Sequence, residues 1–134
     1  TITSFTRPNI TVKLYHTTDS TLPAAPTIDL QNEVSGVTGL TKVLDDGTMT
    51  ISGTDGNFST LFTFEENFCY NGTDNLIIQV EDRSNQAGTN YTNMWEGNNN
   101  TATNNRGCWD RSDTSYASLE PTRGNFRNNV KLLY

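Results

Sequence analysis

The sequence predicts an all-β protein, a jelly-roll-like antiparallel β-sandwich of about eight strands, and three observations point there. Apolar and polar side chains alternate with period two in several segments, turn-forming residues separate those segments, and no window carries an apolar stripe of helical length. At 134 residues the chain has the length of one domain with one sizeable core. Leu, Ile, Val and Phe supply about a fifth of the residues, so that core is thin.

Residues 1–8 precede the first regular alternation and form an N-terminal segment; residues 9–134 form the sandwich domain. Ile10, Val12 and Leu14 alternate with Thr11, Lys13 and Tyr15, the pattern of a strand with one buried face. Residues 27–34, after Pro26, suit a helical turn or two. Short strands at 40–44 and 48–52 flank Asp46-Gly47, which should join them as a type I′ hairpin. Phe58, Thr60, Phe62 and Phe64 alternate with Ser59, Leu61 and Thr63 in the next strand. Asn71-Gly72 then leads into Leu76, Ile77, Ile78 and Val80, a nearly continuous apolar run expected of a strand covered on both sides, at the centre of the sandwich. Further strands are expected at 89–95, 115–119 and 126–134. Residues 83–113 are rich in Asn, Gly and Thr and predict a long loop or irregular hairpin, the sort of place where surface function concentrates.

Only 18% of the residues are charged, the net charge is −6, and Asn, Thr and Ser are abundant, a composition typical of extracellular β proteins. No run of Lys or Arg offers a footprint for a phosphate backbone, which argues against nucleic acid as a partner. No stretch approaches the roughly 18 apolar residues of a membrane span, so membrane insertion is not expected. No signal peptide opens the sequence, so export would imply that a targeting segment has been removed. The two cysteines, Cys69 and Cys108, are an even count in a chain of exported character and predict one disulfide, worth about 4 kcal/mol by loop closure. Two buried thiols in a reducing compartment are the alternative.

Candidate chemistry is sparse. His16 is the only histidine. Neighbouring Asp19 and Ser20 bring no nucleophile elbow, so a structural histidine is expected, not a catalytic triad. One His and two distant Cys cannot build a four-ligand zinc site. Calcium is the one cation the pattern admits, through Asp82, Asp110 and backbone carbonyls, although no calcium-loop signature accompanies them. The pairs Asp45-Asp46, Glu65-Glu66 and Glu81-Asp82 are adjacent along strands, where neighbours point to opposite faces, so paired-carboxylate hydrolysis is not expected. The protein is therefore expected not to be an enzyme, and no cofactor is expected. Trp95 and Trp109 lie in the Asn-rich region, where aromatic faces flanked by amides suit either sugar stacking or capping of the core. That is the basis of an alternative function, a carbohydrate-binding module for a polysaccharide. The sequons at Asn9, Asn57, Asn71, Asn90 and Asn99 are candidate N-glycosylation sites, in about the number this composition supplies by chance.

Four blocks carry a family resemblance: Asn9-Ile-Thr-Val-Lys-Leu-Tyr-His-Thr-Thr18, Leu40-Thr-Lys-Val-Leu-Asp-Asp-Gly-Thr48, Phe64-Glu-Glu-Asn-Phe-Cys-Tyr-Asn-Gly-Thr-Asp-Asn-Leu-Ile-Ile-Gln-Val-Glu-Asp82, and Arg123 to Tyr134. In order and spacing they resemble a β-sandwich module of large surface proteins secreted by Bacteroidetes-type bacteria, many of them through the type IX system. The Tyr-Asn-Gly-Thr-x-Asn-Leu element is the most specific part. The resemblance implies an extracellular or cell-surface location and a structural or adhesive, non-enzymatic role. It also implies O-glycosylation at Ser20, in Asp19-Ser20-Thr21. Family members carry strands before the element matching Asn9, where this chain has only residues 1–8. That difference implies self-association of identical chains, with residues 1–5 completing a neighbour's sheet to build a filament. The alternative is that they are the first strand of their own sandwich.

Overall fold

The computed structural model describes residues 4–24, 29–54 and 57–83, together with short strands at 97–99, 107–109, 122–124 and 126–128. It is mostly antiparallel β-sheet with almost no helix. Two compact units divide it, Thr1–Thr18 with Gly36–Ala87, and Asp19–Ser35 with Gly88–Tyr134.

The first unit holds a four-stranded sheet built from β1 (Ser4–Thr17), β2 (Thr38–Thr54), β3 (Asn57–Leu61) and β4 (Asn75–Asp82), in the order β3-β2-β1-β4. β1 runs without a break across the expected boundary after residue 8, and Ser4 and Phe5 pair with Ser52 and Ile51 of the same chain. Ile10, Val12, Leu14 and Tyr15 are all but fully buried, and so are Val43, Met49 and Ile51 on β2. Each large apolar side chain removed from water contributes about 1.5–3 kcal/mol.

The structure corrects the expectation that the apolar run at 76–80 lies at the centre. β1 is one of the two inner strands, and its segment 10–17 is buried on both faces: Thr11 and Tyr15 are hidden like Ile10 and Leu14. β4 stands at the end of the described order, with Leu76, Ile77 and Val80 only half-buried and Ile78 38% exposed. Antiparallel partners share a face, so Val80, Ile78 and Leu76 sit beside Val12, Leu14 and His16, whereas Glu81, Gln79 and Ile77 sit beside Thr11, Lys13 and Tyr15. Alternation along β1 therefore separates an apolar face from a hydrogen-bonded one, not core from solvent.

Asp46-Gly47 does not form the expected hairpin. It lies inside the 17-residue β2, where Asp45 and Asp46 together oppose Thr11, and Asp46 adopts φ +50°. This is a β-bulge, and one of its residues takes a left-handed conformation that Asp tolerates. The Thr11 hydroxyl secures it, donating to the Asp45 carboxylate at 3.2 Å and accepting from the Asp46 N–H at 3.4 Å. A second bulge on β1 places Pro8 and Asn9, φ +57°, opposite Thr48, so a residue without an N–H sits where the ladder is already interrupted. These two of the four register shifts between β1 and β2 offset one another. β2 and β3 form a hairpin in which Thr54 pairs with Asn57, leaving Asp55-Gly56 between them. The alternation expected through Phe64 continues as strand only to Leu61.

In the second unit a 3-10 turn, Leu30–Asn32, replaces the expected helical turns, with Leu30 and Val34 buried. Asp19 accepts from the Ser35 N–H at 2.8 Å. Among its described residues the unit also holds two antiparallel ladders, β5 (Gly97–Asn99) with β8 (Phe126–Asn128) and β6 (Gly107–Trp109) with β7 (Thr122–Gly124). The strands expected at 89–95 and 115–119 lie outside the described residues.

Leu14→Ala should destabilise the fold by about 2–5 kcal/mol in chemical denaturation, because it empties a fully buried site on the inner strand. The same change at Ile78, on the exposed outer strand, should cost well under half as much.

Candidate functional site

Two side-chain clusters on the sheet of the first unit merit a functional reading, one at the C-terminal end of β1 and one on its hydrogen-bonded face. At the first, His16 is 3% exposed and both ring nitrogens are engaged. Nε2 accepts from the Asn71 backbone N–H at 3.1 Å, which leaves Nδ1 as the protonated nitrogen, donating to the Thr38 carbonyl at 3.2 Å. The ring stacks with Phe68 at a centroid distance of 5.0 Å and with Tyr70 at 5.6 Å. Gly39 makes room for it: a Cβ there would come within 3.1 Å of Nδ1, and the residue's φ of +64° favours glycine in any case. The ring has no nitrogen left for a nucleophile; it pins the segment before β4 to the end of β1.

The Tyr-Asn-Gly-Thr element builds the turn that serves this pin. Asn71 Oδ1 accepts from the backbone N–H groups of Thr73 and Asp74, both at 3.1 Å, and its Nδ2 donates to Asp74 at 2.7 Å. The Tyr70 hydroxyl donates to the Asp74 carbonyl at 2.9 Å. Gly72, φ +78°, completes the turn. A chain held this way presents the Asn71 N–H to His16.

The second cluster centres on Glu81, a carboxylate 7% exposed. Its Oε1 accepts from Lys13 Nζ at 2.6 Å and from Gln79 Nε2 at 2.9 Å, and its Oε2 pairs with Arg83 at 3.1 Å. Tyr15, fully buried, donates its hydroxyl to Gln79 Oε1 at 3.1 Å. A carboxylate only accepts, so the Gln79 amide can face Glu81 only through its nitrogen, which settles its orientation. Lys13 and Lys42 are direct cross-strand partners, a repulsive pairing relieved because Lys13 turns to Glu81 and Lys42 to Asp45 at 3.1 Å. Asp82 pairs with Arg7 at 2.6 Å. The hydrogen bond from Lys42 is the main cause holding the Asp45 carboxyl below its ordinary value of 3.8; partial loss of water opposes it, and the Lys42 charge and the Thr11 hydroxyl reinforce it.

The expected site residues fall in several places. Asn9 and Ser20 are exposed, and Asn71 is exposed but committed to its turn. Asn57 and Asn99 lie in β3 and β5, while Asn90 and Trp95 lie outside the described residues. Cys69 is exposed as a free thiol, and Cys108 and Trp109 occupy β6. Of the two acidic residues suggested for calcium, Asp82 is engaged by Arg7 and Asp110 lies outside the described residues. Among the described residues no group of three His, Cys, Asp or Glu side chains could hold a metal, and no helix is long and apolar enough to cross a membrane. The sequence reading missed the Glu81 cluster. Its only signal was that Lys13 and Tyr15 share one strand face, as do Gln79 and Glu81, and only the register joins them. No family model, curated protein or solved structure matches the chain.

Gly39→Ala should destabilise the protein by about 1–3 kcal/mol, combining backbone strain with pressure on His16. Long-range nitrogen-15 NMR should find His16 protonated at Nδ1 alone. In carboxyl NMR titrations Asp45 should ionise below 3.8, and Lys42→Met should move its midpoint upward. Because the folded value is depressed, its contribution to stability is complete above the unfolded value and is lost as pH falls through the folded one.

Proposed function

We propose that the chain is a non-enzymatic, extracellular structural or adhesive module, a jelly-roll-like β-sandwich of the kind carried by large secreted surface proteins of Bacteroidetes-type bacteria. The observation that carries the architecture is the burial of β1 on both faces, since a strand hidden on both sides requires a layer on each. The absence of turnover on an outside substrate draws support from His16, whose nitrogens are both bonded within the sheet, and from Asp45 and Asp82, each of which is ion-paired. The sparsely charged, Asn- and Thr-rich composition supports the extracellular setting. In this reading the exposed Cys69 thiol joins Cys108 in a disulfide once the chain meets an oxidising compartment.

Self-association by strand exchange belongs to the proposal in one form. Ser4 and Phe5 pair with their own β2, so a filament would form when they leave Ser52 and Ile51 of their own chain for the same residues of a neighbour. Negative-stain imaging of the purified chain, with and without residues 1–5, tests this. Fibres that vanish on deletion support it. Discrete particles that bind polysaccharide, with binding lost in Trp95→Ala or Trp109→Ala, would instead establish a carbohydrate-binding module. Intact mass should fall by two hydrogens on oxidation as Cys69 and Cys108 pair.

A further inference from the structure

We infer that the chain closes an amide cross-link between its own Lys13 and Gln79 side chains, with Glu81 and Tyr15 as the catalytic residues, tying β1 covalently to β4. The reactants are direct cross-strand partners on the hydrogen-bonded face of the sheet. Lys13 Nζ and Gln79 Nε2 share one acceptor, Glu81 Oε1, at 2.6 and 2.9 Å. The carbonyl oxygen of the same amide receives the Tyr15 hydroxyl at 3.1 Å. A nucleophile, an acyl group with an amide leaving group, a carboxylate touching both nitrogens and a donor on the carbonyl oxygen are thus the four parts of a transamidation. Arg83 holds the other carboxylate oxygen and acts as a positioning residue. Tyr15 is fully buried, Glu81 nearly so, and Lys13 and Gln79 are part-buried, which limits competition from water and strengthens each electrostatic contact. Amine transfer to an unactivated amide is slow in solution, and fixed juxtaposition is what accelerates such a step most.

The step balances without any outside reagent. Glu81 accepts a proton from the Lys13 ammonium, and the freed amine adds to Gln79 Cδ, forming the new N–C bond. The carbonyl electron pair moves onto Oε1, where Tyr15 stabilises it. Glu81 returns its proton to Nε2 as the Cδ–Nε2 bond breaks and the carbonyl re-forms. Ammonia departs and takes the remaining surplus proton from Nζ, leaving a neutral secondary amide and one ammonium ion. The ion pair between Lys13 and Glu81 is consumed in the process.

Peptide mapping by mass spectrometry of the full-length purified chain, reduced and digested after prolonged incubation, tests the inference without any variant. The expected result is a branched peptide joining the Lys13 and Gln79 segments, lighter than their sum by one ammonia. Lys13→Arg, which keeps the positive charge, and Gln79→Ala should each abolish it, and both should lower the thermal midpoint. Tyr15→Phe should slow its appearance. Complete recovery of the two segments as separate peptides would overturn the inference. So would an ammonia loss that maps to Asn71-Gly72, where a succinimide gives the same mass change.

Discussion

Burial of both faces of β1 is the constraint on which the rest of the first unit depends. An inner strand with Thr11, Lys13 and Tyr15 on one side must find a partner for each polar group, because an unsatisfied buried donor costs about 1–3 kcal/mol and an unpaired buried charge more. Those partners are Asp45, Glu81 and Gln79, drawn from the strands on either side. The polar face is therefore specified as tightly as the apolar one. A slip of one residue would set Ile10, Val12 and Leu14 against carboxylates and bury Lys13 among hydrocarbons.

The bulges serve the same constraint. β2 is long, and uninterrupted pairing with β1 would carry its side chains past their partners. The bulge at Asp45 and Asp46 lets Asp45 reach both Thr11 and Lys42, and the one at Pro8 and Asn9 restores the register beyond it. Val43, set between the paired positions Lys42 and Leu44, uses its carbonyl to take the Glu65 N–H at 2.7 Å, which brings the segment after β3 back across the sheet toward His16. Two features with clear sequence signatures, Asp46-Gly47 and the Tyr-Asn-Gly-Thr element, thus act as fixtures of one sheet.

Several elements are legible in the sequence alone, and two of them fold otherwise than their local pattern suggests. Two Asp-Gly pairs occur within ten residues of each other, both consistent with a hairpin. The pair at 46–47 lies within a strand while the pair at 55–56 separates two, and local chemistry cannot tell them apart, since both offer the same tolerance of positive φ. The apolar run at 76–80 pointed to an inner strand, yet the strand with alternating polarity holds that place. Hydrophobicity reports what a face can tolerate; hydrogen-bond partners on neighbouring strands decide whether a polar face can also be covered. His16 was expected to be structural from the absence of a nucleophile motif, but its clamp between Thr38 and Asn71 comes from residues far away in sequence.

The sequence by itself determined that the chain is built of antiparallel strands, because period-two alternation and turn residues are local properties that every segment carries alone. It also shows that one histidine and two cysteines are too few to supply four zinc ligands by themselves. Only the tertiary structure decided that β1 lies between β2 and β4, that Asp46-Gly47 sits at a bulge inside a strand, and that Lys13, Gln79, Glu81 and Tyr15 meet. The physical reason is register: a strand's faces are written in its own residues, but which side chains share a face across two strands depends on pairing between distant segments and on bulges that shift it one residue at a time.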